Sequence, residues 1–168
     1  MRTTTRYRAA MVVGAAALLV GGPAWALPQP VAAAPSNSDL EAVRIDPDAA
    51  PPGGLTSLHA FVANLGPETT NSPMTITVNL PRGTEARGPY FPEDCKESED
   101  GRRVRCQFPA GLKSQRSATA VIPIHLDQDL APGTVLKGRF AVHSPDDRNG
   151  ENNRAEFDIR VDEPQPDN

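Results

Sequence analysis

The stretch Met74-Thr75-Ile76-Thr77-Val78-Asn79-Leu80 sets an apolar side chain at every second position, with Thr or Asn between. Successive side chains of a strand point to opposite faces, so this period places Met74, Ile76, Val78 and Leu80 on one face and the polar groups on the other. That is the pattern of a half-buried β-strand. The same alternation recurs in Ala120, Ile122, Ile124 and Leu126, in Leu136, Gly138, Phe140 and Val142, and in Ala155, Phe157, Ile159 and Val161. Shorter strands are expected at Ala42 to Ile45 and Val104 to Phe108. Leu55 to Leu65 is ambiguous: Leu58, Ala60 and Val62 suit one buried face, and Leu55, Phe61 and Leu65 suit the other. No window carries the apolar stripe of period 3.6 that a helix needs.

Proline and glycine close these segments with turn chemistry at Pro51-Pro52-Gly53-Gly54, Gly66-Pro67, Pro81-Arg82-Gly83 and Pro132-Gly133. About seven short strands with turns at this spacing predict an all-β chain folded as one β-sandwich. Pro123 interrupts a strand pattern and has no N–H to give, so its strand should lie at an edge or be bulged there.

The chain has 168 residues, one domain's worth, and its 38% apolar and 23% charged content argues against wholesale disorder. A formal charge of −4 and a pI near 5.4 argue against a nucleic-acid partner. Residues 1–26 have the layout of a secretory signal: Arg2, Arg6 and Arg8, then an uncharged run from Ala9 to Val20, then Ala24-Trp25-Ala26. The run is too short for a membrane span, so the mature protein should have none. Cleavage after Ala26 would leave 142 residues, remove three arginines and no acid, and take the charge to −7. It would also remove Trp25 and Tyr7, leaving no tryptophan. Residues 27–38, rich in Pro, Ala and Ser, are expected to form a flexible linker, residues 39–162 the domain, and residues 163–168 a disordered tail. In an exported protein, Cys95 and Cys106 should form a structural disulfide rather than a redox pair, which would have two intervening residues.

Several motifs then line up in order. Asn64-Leu65-Gly66-Pro67 ends one strand and Leu80-Pro81-Arg82-Gly83 the next, Cys95 and Cys106 follow, and Leu130-Ala131-Pro132-Gly133-Thr134 precedes a later strand. Asp147-Arg148-Asn149-Gly150-Glu151-Asn152-Asn153 opens the last one. Over nearly all of residues 40–162 the set resembles the DUF11-type immunoglobulin-like domain of bacterial secreted and surface proteins. The resemblance implies an Ig-like Greek-key sandwich serving as a spacer or adhesive module. It departs in standing alone, and in having Leu58 where an aromatic residue is often found. Physically, an asparagine before a Gly-Pro turn can bond backbone groups that the ending strand leaves free.

Three features could carry chemistry. Asp146, Asp147, Asn149 and Glu151 are oxygen donors of the sort that bind calcium, but their spacing is not that of an EF-hand, and a solvated turn is the preferred reading, with no metal expected. His59, His125 and His143 fall in strand patterns; a triad of Ser57, His125 and Asp127 could be drawn, but no nucleophile elbow or H-E-x-x-H supports it. Gly88-Pro89-Tyr90-Phe91-Pro92 holds Tyr90 and Phe91 between stiffening residues, which suits a recognition loop; alternatively Phe91 plugs one end of the sandwich beside the disulfide. The expected protein is therefore secreted, non-catalytic and without a cofactor, with an adhesion-like role toward an extracellular protein or cell-wall component. The alternatives are a glycan- or wall-binding module, which would want exposed aromatic platforms, a small secreted hydrolase, and pairing through an exposed sheet edge.

Overall fold

The computed structural model describes residues 34–164, so the expected signal peptide, the first part of the linker and the end of the tail lie outside the described residues. Within them the chain is all-β, with two antiparallel sheets packed face to face. One sheet has the order β1 (Leu40–Val43), β2 (Leu55–Asn64), β7 (Ser117–Leu126), β4 (Thr84–Ala86). The other has the order β5 (Lys96–Glu97), β6 (Arg103–Phe108), β3 (Met74–Asn79), β8 (Val135–His143), β9 (Arg154–Arg160). Strand β7 returns to lie beside β2, and β8 beside β3, which are the long-range pairings of a Greek-key sandwich.

The alternation read from the sequence builds the core. Leu58, Ala60 and Val62 of β2 face Ile76 and Val78 of β3 across the sandwich interior, and all are fully buried. Leu55 is 61% exposed and Leu65 46%, which settles the ambiguity of that strand. Phe140 and Phe157 are the largest fully buried side chains. Gly138, directly opposite Phe157 in the β8–β9 ladder, leaves the space that the phenyl ring fills.

Among the described residues there are nine strands rather than about seven. The two additions, β4 and β5, have three and two residues, too few to show a period of two. The first strand is Leu40–Val43 instead of Ala42 to Ile45, and Ile45 is 41% exposed. Pro123 lies in β7, which is inside its sheet and pairs with β2 in unbroken register through Ser57, so neither an edge strand nor a bulge in β7 itself is found. Its carbonyl accepts from Arg87 N at 3.2 Å, so its nitrogen faces the β4 flank, where β4 has already ended at Ala86. Beyond that point Phe91 meets Val121, two residues later than the β4–β7 register would place it. The missing donor of Pro123 falls beside this inserted pair and costs no ladder bond.

Sheet edges are closed by local groups. Along β1, Leu40 N donates to Asp147 Oδ1 at 3.4 Å and Ala42 N to the Asn152 carbonyl at 2.9 Å. On β9, Asp158 N donates to Asp46 Oδ1 at 2.9 Å and the Arg160 carbonyl accepts from Ala50 N at 3.1 Å. Ala86 N of β4 donates to the Gly101 carbonyl at 2.8 Å. Such capped edges disfavour strand addition as a mode of pairing. Among the described residues no helix is long and apolar enough to cross a membrane.

Candidate functional site

The Asn64 motif and the acidic turn meet at one end of the sandwich. Asn64 is fully buried, and its Oδ1 accepts from Gly66 N at 3.1 Å and Asp39 N at 3.3 Å. Its Nδ2 donates to the Glu68 carbonyl at 2.8 Å and the Leu112 carbonyl at 3.0 Å. One amide therefore meets four backbone groups from three segments and uses its full bonding capacity. Gly66 is required by close approach, because a Cβ there would sit 2.5 Å from Asp39 N.

Asp146 is also fully buried, and its carboxylate accepts from Asn71 N at 2.5 Å, Ser72 N at 2.6 Å, Ser72 Oγ at 2.9 Å and Ser36 N at 3.2 Å. Burial alone would raise its pKa, but the hydrogen bonds from Ser72, Ser36 and Asn71 outweigh it, and the net displacement is below the ordinary carboxylate value. The linker expected over 27–38 is thereby drawn into the fold at its last residues, where Ser36 and Ser38 are buried. Of the other calcium candidates, Asp147 Oδ1 accepts from Asn149 N at 3.0 Å and Asn149 Oδ1 from Glu151 N at 3.4 Å. These are consecutive Asx turns, and the four side chains do not gather around one point; among the described residues no three acidic, histidine or cysteine groups converge as a metal set. Sequence reasoning assigned Asp146 to a surface turn because nothing local marks it as the acceptor for residues 74 and 110 positions away.

The three histidines divide between the two outer surfaces. His59 and His125 stand on the outer face of the four-stranded sheet and His143 on that of the other sheet, so they cannot share an ion. Ser57 lies opposite Pro123, and His125 opposite Leu55, on an open face, while Asp127 follows the strand end and is exposed.

Cys95 and Cys106 are joined by a disulfide between the segment leading into β5 and the buried face of β6. Nearby, Phe91 and Val121 exchange both backbone hydrogen bonds, at 3.2 and 2.8 Å. Directly paired residues share a side of the sheet, so Phe91 stands outward next to Val121 and, across β7, His59. Phe91 is 58% exposed, which overturns the plug alternative. The residue that tucks in is Tyr90: it is half-buried against the core, and its hydroxyl donates to the Glu97 carboxylate. Alternation at the bridge decides this, since neighbours in an extended segment point to opposite sides.

Phe91 thus joins a continuous uncharged surface. The outward positions of β2 are Leu55, Ser57, His59, Phe61 and Ala63, and those of β7 are Ser117, Thr119, Val121, Pro123 and His125. None is Lys, Arg, Asp or Glu over two ten-residue strands. Phe91 extends this surface past the short strand β4. The signal was present in the sequence as two outward sets without charge, but their adjacency required the β2–β7 pairing.

No family model matches the chain, and no curated protein matches it. Among solved structures, the third cohesin of ScaC from Acetivibrio cellulolyticus, in complex with the ScaB dockerin, is similar at 10% identity over 67% of this chain and 94% of its own, with a TM-score of 0.50. The sixth cohesin of scaffoldin B from Acetivibrio cellulolyticus, in complex with a Cel5 dockerin variant, is 11% identical over 76% of this chain and 99% of its own, with a TM-score of 0.45. BslA, a bacterial hydrophobin, is 13% identical over 80% of this chain and 100% of its own, with a TM-score of 0.47. At these identities the likeness is one of fold, a β-sandwich.

Proposed function

We propose that the chain is a secreted, non-catalytic immunoglobulin-like module of the DUF11 type that holds another extracellular protein on the outer face of its four-stranded sheet. The observation that carries this is the uncharged surface around Phe91. A solvent-facing sheet usually alternates apolar and charged positions; a surface of two long strands without charge, flanked by Glu41 and Glu85 and with an exposed aromatic ring at its margin, has the composition of an interface core inside a polar rim. The cohesin of similar fold was determined in complex with a dockerin, a precedent for a sandwich of this architecture holding a protein. A glycan-binding role finds less support: Tyr90, the other candidate ring, is half-buried and hydrogen-bonded rather than offered as a platform.

The test uses immobilised oxidised protein, wild type and a Leu55→Ser/Phe91→Ser variant, exposed to native culture supernatant and scored for proteins and wall polymers. A protein retained by the wild type and lost from the variant supports the proposal. Equal retention by both, or retention of polysaccharide alone, refutes it.

A further inference from the structure

The opposite face of the sandwich is built from the other extreme of composition. Besides Arg160 at the far end of β9, outward positions of the five-stranded sheet carry Lys96 on β5, Arg103 and Arg105 on β6, Arg139 on β8 and Arg154 on β9. These five cations make no ion pair among the described residues, in a chain whose overall formal charge is negative. The one bond seen from them to another side chain is Arg103 Nε to Asn79 Oδ1, at 3.2 Å. Lys137, on the same face, is already taken by Asp158 at 3.3 Å. Glu156, opposite Arg139, and Glu97, beside Lys96, are the acids interspersed with the five.

Two depressions interrupt this face. One, of about 580 Å³, is lined by the cations Lys96, Arg103 and Arg105, by Gln107 and Ser98, and by the acids Asp94 and Glu97, so that cations outnumber acids three to two. The second, of about 460 Å³, lies over Ala141, whose small side chain leaves a gap between Arg139 and Arg154 beside Asn79, with Glu156 also in its lining. Arg105, Thr77, Ala141 and Arg154 form one row across β6, β3, β8 and β9, so the Thr77 hydroxyl lies between the two depressions. With strands spaced about 4.8 Å apart, the outer members of the row are about 14 Å apart at the backbone.

We propose that this face binds a linear polymer whose backbone is linked by phosphodiesters, of the polyol-phosphate kind, with non-adjacent phosphates of one chain seated over the two depressions. Each depression offers cations from two strands. A planar carboxylate is matched by a single guanidinium fork, whereas a tetrahedral phosphate presents oxygens toward donors arriving from different directions. Thr77, Asn79 and Gln107 add neutral donors between the cations. No outward position on β3, β6, β8 or β9 is Phe, Tyr or Trp, and the one imidazole, His143, stands at the end of β8 away from the two depressions, so recognition there goes through backbone charge. This face is separate from the uncharged one, and either proposal can fail without the other.

The experiment titrates the full mature protein with a synthetic glycerol phosphate oligomer at several salt concentrations, alongside poly-L-glutamate and single-stranded DNA of equal charge. Engagement of four or five cations predicts a slope of log affinity against log salt of about −3, with weaker binding of the other two polymers. The Arg105→Gln/Arg154→Gln variant should reduce the slope by about 1.4 and weaken binding about tenfold or more. An Arg82→Gln/Arg116→Gln variant, altered at exposed sites off this face, should bind as the wild type does. Thermal melts of both variants within a few degrees of wild type would show that the fold is intact. No binding at low salt, equal weakening by the two variants, or equal affinity for DNA or polyglutamate would overturn the proposal.

Discussion

Replacing Asp146 by alanine should unfold the molecule more readily than any single surface change, for a reason visible in its four hydrogen bonds. The buried carboxylate accepts from three backbone N–H groups, of Ser36, Asn71 and Ser72, and from the Ser72 hydroxyl. The hydroxyl can rotate to another partner, but the backbone donors are held by their chain. A buried donor left unsatisfied costs about 1–3 kcal/mol. Ser36 N is buried and takes the upper part of that range; the bonds to Asn71 and Ser72 are partly buried and take the lower part. The loss comes to about 3–5 kcal/mol, a large share of the 5–15 kcal/mol by which domains are stable. For a domain of this size that is a fall in Tm of roughly 10–20 °C. Asp146→Asn keeps the shape but turns an amide donor toward N–H groups, and should cost about 2–3 kcal/mol.

The pH dependence has a definite sign. Because the folded pKa of Asp146 lies below the ordinary carboxylate value, its contribution is fully present above that value and is lost as pH falls through the folded pKa. The Asn variant should lack that part of the acid limb. Urea melts of the three proteins between neutral and acid pH measure all of this. An alanine variant within about 1 kcal/mol of wild type would refute the reasoning, since the N–H groups would then have water as an adequate partner. A rise in Tm with millimolar calcium would refute it from the other side, by showing that these oxygens are available to a cation.

Three further substitutions test the packing. Gly66→Ala, which forces Asp39 and the Ser38 backbone away, should cost about 2–3 kcal/mol in urea melts, whereas Gly150→Ala, which meets nothing closer than 3.9 Å, should stay within about 0.5 kcal/mol. Gly138→Ala should cost about 1–3 kcal/mol despite the better strand propensity of alanine, because its Cβ enters the space of the buried Phe157 ring. Reduction of the disulfide, or the Cys95→Ala/Cys106→Ala variant, frees a loop with a sequence separation of 11; in the chain-entropy account this lowers stability by about 3 kcal/mol, read as a lower urea midpoint.

Most of the strand content could be read along the chain, because alternation in Met74 to Leu80, Ala120 to Leu126 and Ala155 to Val161 is a local property that records which side of each strand is dry. The short strands β4 and β5 could not, since they exist only because β7 and β6 offer them a ladder. Pro123 shows the intermediate case: the lack of a donor was plain, but that it costs no ladder bond depended on where β4 stops. Tyr90 and Phe91 could be singled out as a pair, yet which ring faces water is settled by the bridge to Val121. Asp146 was legible only as an acid in a polar turn, because its donors come from Ser36, Asn71 and Ser72, far along the chain.

By itself the sequence determined an all-β sandwich, the inward set of every long strand but β2, and the cysteine pair, all consequences of a period of two and of residue chemistry. Tertiary structure alone decided the surfaces. Outward residues of β2 and β7 become one uncharged face, and those of β6, β8 and β9 one cationic face, only when distant strands pair in a given order. A strand's own residues specify which side it buries; what stands beside each exposed residue is specified by the neighbouring strand, and that neighbour is chosen by the fold.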